Sequence, residues 1–263
     1  MEKELEWLAA AFEEVMSSDV LLMDGMMRYV STAQGKLLRP RLVFLSARLL
    51  GGINDTTRRT ALFVEMLHMA TLIHDDVVDG SDTRRGQASL NARCDNRSAV
   101  LAGDYLLAKA VMQLSEPSDN RILKEMLNVA MAMSEGELLQ FKVERSALKV
   151  GSEAAQTYID IITRKTARLI RTCCVSGAIS VGASQEIIDK VGEYGLNLGL
   201  VFQMRDDILD RDNPETTALA ERLLPEYLDK ALKALDALTP YIINQESFSS
   251  LKELTMFCAE RNH

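Results

Sequence analysis

The sequence predicts an all-α fold, a single-domain bundle of about ten helices, and three observations support this prediction. Aromatic residues make up only 5% of the chain, whereas good helix formers such as Ala, Leu, Met and Glu dominate. Proline is absent between residues 41 and 116 and again between 118 and 213, so no backbone amide donor is lost there. The two-residue alternation typical of strands is scarce. A chain of 263 residues, 47% of them hydrophobic, suffices for one large domain.

Helix-stopping and helix-starting residues divide the chain into its elements. They cluster at residues 51–55, 80–82, 116–119, 151–152 and 182–184. The long helices predicted between these breaks cover about 56–79, 120–147, 153–180 and 185–210. Each exceeds the mean helix length of roughly 11–12 residues, and its apolar residues surround most of the circumference. We therefore expect these helices in the middle of the bundle.

Charge and cysteine content exclude several classes of protein. With 38 acidic residues against 30 Lys and Arg, the formal charge is −8, which disfavours a nucleic-acid surface over the whole molecule. The four cysteines lack the spacing of metal ligands or of a disulfide framework, so we expect a reducing, cytoplasmic environment. The charged first residues and the absence of a long apolar run predict neither a signal peptide nor membrane insertion.

Two matching carboxylate clusters carry the chemistry. The pattern Asp-Asp-x-x-Asp occurs at residues 75–79 and again at residues 206–210, each time after an almost wholly apolar helical turn. The first and last Asp of each cluster lie on one helical face, about 5–6 Å apart at Cβ, where like charges repel. The helix macrodipole at a C-terminus is also unfavourable to them. One such cluster is more often solvated surface, but two identical ones predict a bound cation, and these hard oxygen ligands suit Mg²⁺. The candidate acids are Asp75, Asp76, Asp79, Asp206, Asp207 and Asp210.

Basic residues accompany the acids. Lys36 and Arg39 are three positions apart where a helix can begin, and Arg84 and Arg85 follow the first acid cluster after a short loop. Lysine and arginine are the side chains that recognise diphosphate, although each of these residues taken alone is more often a solvated charge. His68 lies two turns before Asp75. A buried structural role and a contact with a ligand are equally consistent with this position.

Together these motifs resemble the trans-isoprenyl diphosphate synthases, the chain-elongating prenyltransferases, and in particular their long-chain, octaprenyl-type branch. The likeness runs from about residue 35 to 210. It includes Gly103-Asp104-Tyr105-Leu106, the segment 134–140, Lys165-Thr166 and Phe202-Gln203. The resemblance implies the isoprenoid synthase fold around a central apolar cavity, and a cytoplasmic homodimer.

The resemblance also implies a reaction and its residues. Mg²⁺, three ions per active site, is expected to bridge Asp75, Asp79 and Asp206 to an allylic diphosphate, whose departure leaves a carbocation that isopentenyl diphosphate attacks. The residues expected to hold isopentenyl diphosphate are Lys36, Arg39, His68 and Arg85. Those expected at the allylic diphosphate are Arg84, Lys165, Thr166 and Gln203, with Gln140 near the metal and Lys165 also counted among the catalytic residues.

Product length is expected to depend on the residues beneath the first acid cluster. Ala70 and Thr71 precede Asp75 by about one helical turn and are small. In the family, bulky aromatic residues at these positions close the pocket early, so small ones imply products beyond the C15 to C20 range. Met131 or Met133 is a candidate for a deeper floor, although a methionine is as often ordinary core filler.

The chain departs from the family after the second acid cluster. It is expected to form a single polyprenyl synthase domain over residues 1–263 that lacks an internal, lysine-containing segment after about residue 212. The first basic motif has Gln34 where a second glycine is usual. Two alternatives to a long-chain synthase stay open: a shorter-chain farnesyl or geranylgeranyl diphosphate synthase, and a non-catalytic regulatory subunit of a hetero-oligomeric synthase.

Overall fold

The computed structural model describes residues 1–32, 35–114, 120–145 and 152–261. Gln34, the predicted break at 116–119 and residue 151 of the break at 151–152 therefore lie outside the described residues. Within these ranges the chain contains twelve α-helices and a single short hairpin, which confirms the all-α class. The chain divides into two compact units, Met1–Phe44 with Asp55–Asp119 and Leu45–Asn54 with Asn120–His263. The expectation of a single domain stays a prediction.

The first unit contains six helical elements and the hairpin. They are α1 (Glu2–Met16), α2 (Leu21–Thr32), the start of α3 (Leu38–Leu50), α4 (Asp55–Val78), β1 (Thr83–Arg84), β2 (Gln87–Ala88), α5 (Leu90–Arg93) and α6 (Asn96–Gln113).

Helix α4 is the central helix of the first unit. All side chains from Thr60 to Leu67 are buried, so this stretch of the helix is enclosed on every side. The spread of apolar residues around most of the helix circumference predicts such burial. It packs against α1 and α6. The contact with α6 is close at Gly103, because a Cβ atom there would lie only 2.3 Å from the His74 imidazole. The first acid cluster thus stands at the end of a rigidly packed helix.

The hairpin β1–β2 was not predicted, since the sequence indicated only a short loop after α4. Thr83 pairs with Ala88 and Arg84 with Gln87 in antiparallel register. Arg85 and Gly86 form the turn with φ values of 51° and 78°, both in the left-handed region that two-residue hairpin turns require. Pairs this short leave no alternating pattern to detect.

The second unit contains the remaining helices. They are the end of α3, α7 (Asn120–Arg145), α8 (Ser152–Ile162), a π-helical segment (Thr163–Ala167), α9 (Arg168–Ser180), α10 (Gln185–Asp210), α11 (Pro214–Asp236), a 3-10 turn (Thr239–Tyr241) and α12 (Gln245–Glu260).

Helix α10 is the central helix of the second unit and packs against α9, α11, α12 and the π segment. Eleven of its residues are buried, among them Tyr194, Leu198 and Met204. The sequence predicted one uninterrupted helix over 153–180. The chain is helical there, but the π segment separates α8 from α9, which apolar periodicity does not reveal.

A three-residue connection joins α10 to α11. Arg211 adopts a left-handed conformation with φ 55°, and the Asn213 side chain accepts hydrogen bonds from the amides of Glu215 and Thr216. Pro214 is the first residue of α11, where a missing amide donor costs nothing. The connection is therefore a short turn with its own hydrogen bonds, and Asn213 caps α11. Among the described helices, none is both long and apolar enough to cross a membrane.

Candidate active site

The first acid cluster divides into two outer aspartates and a buried central one. Asp75 is half-buried near the end of α4, and Asp79, just past the helix end, is exposed. Asp76 is buried, and its carboxylate receives the Nε of Arg84 at 2.9 Å together with the Nη2 of the same guanidinium. The central carboxylate is therefore neutralised within the protein. The two outer carboxylates lie four positions apart, as the sequence predicted.

The hairpin holds Arg84 against Asp76. The Ser89 hydroxyl donates to the carbonyl oxygen of Ser81 at 2.6 Å, and the Asn91 amide donates to the carbonyl oxygens of Ser81 and Asp76 at 3.1 and 3.3 Å. These bonds fold the chain after the hairpin back onto the end of α4. Arg84 is consequently fixed as part of the cluster.

Arg39 and His68 are in direct contact. The Nη1 of Arg39 lies 2.9 Å from the Nε2 of His68. Since a guanidinium can only donate, Nε2 accepts, and His68 is the neutral tautomer protonated at Nδ1. Burial, aided by the positive charge of Arg39, holds the pKa of His68 well below its ordinary value. The imidazole is thus a neutral ring that orients Arg39.

Glu65 is a functional candidate that the sequence reading missed. It is buried one turn before His68 on α4, and burial raises its pKa, while the charges of Arg39 and Arg85 act in the opposite direction. A carboxylate among arginines would have been a signal, but the arginines come from distant parts of the chain. Glu65 is therefore a buried carboxyl group within electrostatic reach of Arg39 and Arg85.

Arg85 and Lys36 complete the basic group of the first unit. A Cβ atom on Gly35 would lie 2.5 Å from the Nη2 of Arg85, so the guanidinium packs directly on the backbone next to Lys36. Lys36 is exposed and precedes α3, and Arg39 is the second residue of that helix. The structure therefore brings together the residues predicted for one diphosphate.

In the second acid cluster, too, neighbouring side chains hold the central aspartate. The central Asp207 accepts the hydroxyl of Tyr158 at Oδ2, at 2.6 Å, and the Nε2 of Gln203 at Oδ1, at 2.9 Å. Thr166 in turn donates to Oε1 of Gln203 at 2.6 Å. Burial raises the pKa of Asp207, although the two hydrogen bonds that it accepts oppose the rise. Tyr158, which the sequence reading missed, thus fixes this carboxylate.

The outer aspartates of the second cluster are Asp206 and Asp210. Asp206 forms an ion pair with Arg261, a residue that sequence spacing could not connect to it. Asp210 is the exposed last residue of α10. The end of this helix is tied to α11, because Thr217 donates to the carbonyl oxygen of Asp207 at 3.2 Å.

Lys165 lies in the π segment and already has an anionic partner. Its Nζ lies 2.6 Å from Oε1 of Glu137 and donates to Oε1 of Gln140, also at 2.6 Å. The Lys165 side chain is largely covered, with 27% exposed. Gln140 and Lys165, predicted for the same site, are therefore neighbours within the second unit.

The residues predicted to set product length differ in exposure. Ala70 is buried, with 2% exposed, whereas Thr71 is half-buried and its hydroxyl donates to the carbonyl oxygen of His68 at 2.8 Å. Met133 is half-buried, but Met131 is 59% exposed. Their role in product length stays a prediction, for which Thr71 and Met133 are the more suitable positions.

The carboxylates suit a Mg²⁺ ion that is also bound by waters and phosphate oxygens, rather than a metal ion held by protein ligands alone. In the described ranges no three carboxylate, imidazole or thiol side chains converge on one point that could hold a metal ion. Two outer carboxylates per cluster match Mg²⁺, which takes one or two carboxylates and fills its octahedron with waters and phosphate oxygens. Zinc, which requires about four protein ligands at a structural site, does not fit.

Known proteins resemble this chain in sequence. Residues 20–218 match the sequence model of the family described as polyprenyl synthetase. The chain is 34% identical over 203 residues to the octaprenyl diphosphate synthase of Escherichia coli K12, covering 76% of this chain and 61% of that protein. It is 35% identical over 178 residues to heptaprenyl diphosphate synthase component 2 of Geobacillus stearothermophilus, covering 68% and 54%. The chain thus spans about three fifths of the length of such relatives.

A solved structure shows the same fold. The polyprenyl synthase of Caulobacter crescentus CB15, complexed with calcium and isoprenyl diphosphate, superposes with a TM-score of 0.88. The two chains are 27% identical, and the superposition covers 100% of this chain and 96% of that one. The family resemblance predicted from the motifs is therefore confirmed.

Proposed function

The chain belongs to the polyprenyl synthetase family, and we propose that it is a Mg²⁺-dependent prenyltransferase. It condenses isopentenyl diphosphate with an allylic diphosphate and releases a medium- or long-chain all-trans polyprenyl diphosphate. One observation carries the proposal: each of the two central helices, α4 and α10, ends in a cluster whose central aspartate is held by the protein while its outer pair lies four positions apart. The relative named octaprenyl diphosphate synthase supports the product class.

The proposed metal ligands are Asp75, Asp79 and Asp206, with three Mg²⁺ ions for the complete site. When bound, Mg²⁺ stabilises the negative charge that develops on the departing diphosphate. Arg84 already neutralises Asp76, so the Mg²⁺ ions balance the remaining carboxylates and part of the diphosphate charge, and the two diphosphates also depend on Lys and Arg side chains. Most of the rate enhancement then comes from positioning and electrostatic stabilisation, without a covalent intermediate.

The diphosphate of isopentenyl diphosphate is proposed to bind the basic group of the first unit. Arg39 is oriented by the neutral His68, and Arg85 is packed on the backbone beside Lys36. A guanidinium held in this way has a fixed orientation, which suits bidentate phosphate binding. The residues proposed at the allylic diphosphate are Arg84, Lys165, Thr166 and Gln203, with Gln140 beside Lys165.

Product length is proposed to depend on small side chains below Asp75. Thr71 lies one turn before Asp75 on the same face of α4, so a tail that descends along this face passes it. We expect Thr71→Tyr to shorten the product while preserving turnover. Ala70→Tyr tests the same idea less cleanly, because Ala70 is buried and an added ring also overpacks the core.

Product sizing tests the proposal against its alternatives. The protein is incubated with Mg²⁺, farnesyl diphosphate and labelled isopentenyl diphosphate, and the dephosphorylated products are separated by length. We expect products longer than C20. Products of C15 or C20 contradict the long-chain assignment. No elongation at all favours the regulatory subunit, a reading that finds support in relatives named as component 2 or subunit 1 of a synthase.

We also propose that the active form is a cytoplasmic homodimer. Helix α6 exposes Val100, Leu101 and Met112, three large apolar side chains that are 39%, 54% and 66% exposed. Exposed apolar patches of this kind are typical of subunit interfaces. Light scattering coupled to size exclusion is expected to give twice the chain mass for the wild type and the chain mass for Leu101→Glu.

A further inference from the structure

The segment after α12 places Arg261 on the last turns of α10. Its Nη2 donates to the carbonyl oxygen of Phe202 at 3.2 Å and forms an ion pair with Oδ1 of Asp206. The guanidinium lies over the Phe202 ring, with its Cζ 4.2 Å from the ring centroid. The carbonyl oxygen of Arg261 accepts from Nε of Arg205 at 2.7 Å. Three residues of one helix therefore fix a single arginine, and all belong to the second unit.

This ion pair is largely shielded from solvent. The Arg261 side chain is 11% exposed and the Asp206 side chain 31% exposed. Surface ion pairs are screened and contribute little, whereas shielded charges interact strongly with their neighbours. Asp206 also shares its helical turn with Asp207 and Asp210, which repel it. The arginine thus supplies the positive charge that this end of α10 needs when no metal ion is bound.

We propose that Arg261 is the internal counter-ion of the second acid cluster and sets its metal affinity by competing with the divalent cation for the Asp206 carboxylate. The inference rests on the proposed function, because it takes Asp206 as a metal ligand. Arg261 is a positioning residue in this account, since it acts through Asp206 and touches no substrate. A metal ion that binds Asp206 must share the carboxylate with a fixed guanidinium and work against its positive charge.

A purely structural role predicts a different outcome. If Arg261 only anchored the segment after α12, its replacement would change the stability of the protein but not its affinity for a metal ion. If Arg261 is a competing counter-ion, removal of its charge strengthens metal binding, and this gain requires Asp206.

Mn²⁺ binding provides a measurement that needs no turnover. Mn²⁺ accepts the same hard oxygen ligands as Mg²⁺, and its free concentration is measured by electron paramagnetic resonance. The full chain is titrated as wild type, Arg261→Gln and Arg261→Lys. We expect Arg261→Gln to bind Mn²⁺ roughly five-fold more tightly, because a like charge a few ångströms from the ion is gone. Arg261→Lys, which keeps the charge, stays within about two-fold of the wild type.

A double-mutant cycle assigns the effect to Asp206. In chains carrying Asp206→Asn, Arg261→Gln is expected to leave the Mn²⁺ affinity unchanged. Unchanged or weaker binding by Arg261→Gln in the otherwise wild-type chain overturns the inference, and so does a wild type that binds no Mn²⁺. An equal gain with and without Asp206 overturns it as well.

A second variant tests the inference independently in case Arg261→Gln does not fold. Phe202→Leu removes the ring beneath the guanidinium but keeps every charge and every proposed ligand. It is expected to tighten Mn²⁺ binding in the same direction by a smaller factor, and no change argues against the inference. Product sizing of the same wild-type sample separates the two proposals. If the wild type elongates the substrate but Arg261→Gln leaves the Mn²⁺ affinity unchanged, only the role of Arg261 is contradicted. If Arg261→Gln tightens Mn²⁺ binding but the wild type does not elongate the substrate, only the prenyltransferase assignment is contradicted.

Discussion

Each acid cluster uses its three aspartates for two purposes. The central carboxylate is bound by neighbouring side chains: Asp76 is neutralised by Arg84, and Asp207 accepts hydrogen bonds from Tyr158 and Gln203. The outer carboxylates lie one turn apart and include the proposed ligands Asp75, Asp79 and Asp206. The central residue therefore fixes the conformation of the helix end from which the outer pair projects.

The Arg84 ion pair is expected to stabilise the fold as well as the site. In Arg84→Gln the buried Asp76 loses its charged partner, so we expect the free energy of unfolding to fall by about 1–3 kcal/mol. The measurement is urea denaturation at neutral pH. The matched control is Arg28→Gln, which breaks the exposed pair with Asp24 on α2 and should leave stability unchanged. Equal losses in the two variants would contradict the role of burial.

His68 predicts a specific dependence of stability on pH. Its folded pKa is depressed below 6.5, so at acidic pH the unfolded chain binds a proton that the folded chain refuses. Stability is therefore retained above the unfolded pKa and lost as the pH falls below it. His68→Gln keeps an acceptor for Arg39 but does not titrate. Its unfolding free energy should depend less on pH, by up to ~1.4 kcal/mol per unit, between the unfolded and folded pKa values. Parallel profiles from pH 8 to pH 5 would exclude this linkage.

The chemistry of the site could be predicted from the sequence at this scale, but its internal partners could not. Two identical acid patterns and nearby basic residues are local signals, so Asp75, Asp206 and Arg84 could be proposed as candidates. Glu65, Tyr158 and Arg261 act across packed helices, and Arg261 follows Asp206 only after two further helices. No spacing rule connects such residues, since their contacts exist only once the helices are packed.

At the scale of elements, the π segment is the feature that places Lys165 and Thr166. Two helices approach it through glycines. A Cβ atom on Gly136 of α7 would lie 2.9 Å from Cγ of Lys165, and one on Gly199 of α10 would lie 2.5 Å from Cα of Ala167. The absence of side chains at these two positions is what lets α7 and α10 pack directly on the segment.

Gly199→Ala is therefore expected to destabilise the protein. The added methyl group meets backbone atoms of Ala167, which cannot move as a flexible side chain would, and we expect a loss of about 1–3 kcal/mol. Gly25→Ala on α2 is the control, because nothing lies within 4 Å of its Cβ position. This change should stabilise the protein by about 0.5–1 kcal/mol through helix propensity. Thermal unfolding of both variants measures the difference, and stabilisation by Gly199→Ala would refute the close approach.

Helix positions were predictable to within a few residues, because capping residues and unbroken apolar periodicity are local properties. The predicted helix over 185–210 is α10 itself, with Ser184 as its N-cap. The π segment and the two-residue strands were not predictable. One extra residue in a helical turn barely changes the apolar pattern, and the hairpin is defined by its pairing rather than by periodicity.

At the scale of the whole molecule, the connection between α10 and α11 lies close to the end of the family match. The connection is three residues long, and the match to the family model ends just beyond it, at residue 218. The expectation that a lysine-containing segment is missing there stays a prediction. The turn itself is well formed, because Asn213 caps α11 and Thr217 bonds to the end of α10. These hydrogen bonds fix the end of α10 that carries the second acid cluster.

The most direct test of the account is whether both acid clusters are needed for prenyl transfer. Incorporation of labelled isopentenyl diphosphate is measured with Mg²⁺ for the wild type, Asp75→Asn, Asp206→Asn and the control Asp229→Asn, whose exposed acid pairs with Lys233. The account predicts Mg²⁺-dependent incorporation by the wild type and the control. Each cluster variant, folded as judged by circular dichroism, should lose at least about a hundred-fold, or ~2.7 kcal/mol of transition-state stabilisation. Full activity in either cluster variant, or no incorporation by the wild type, would contradict it.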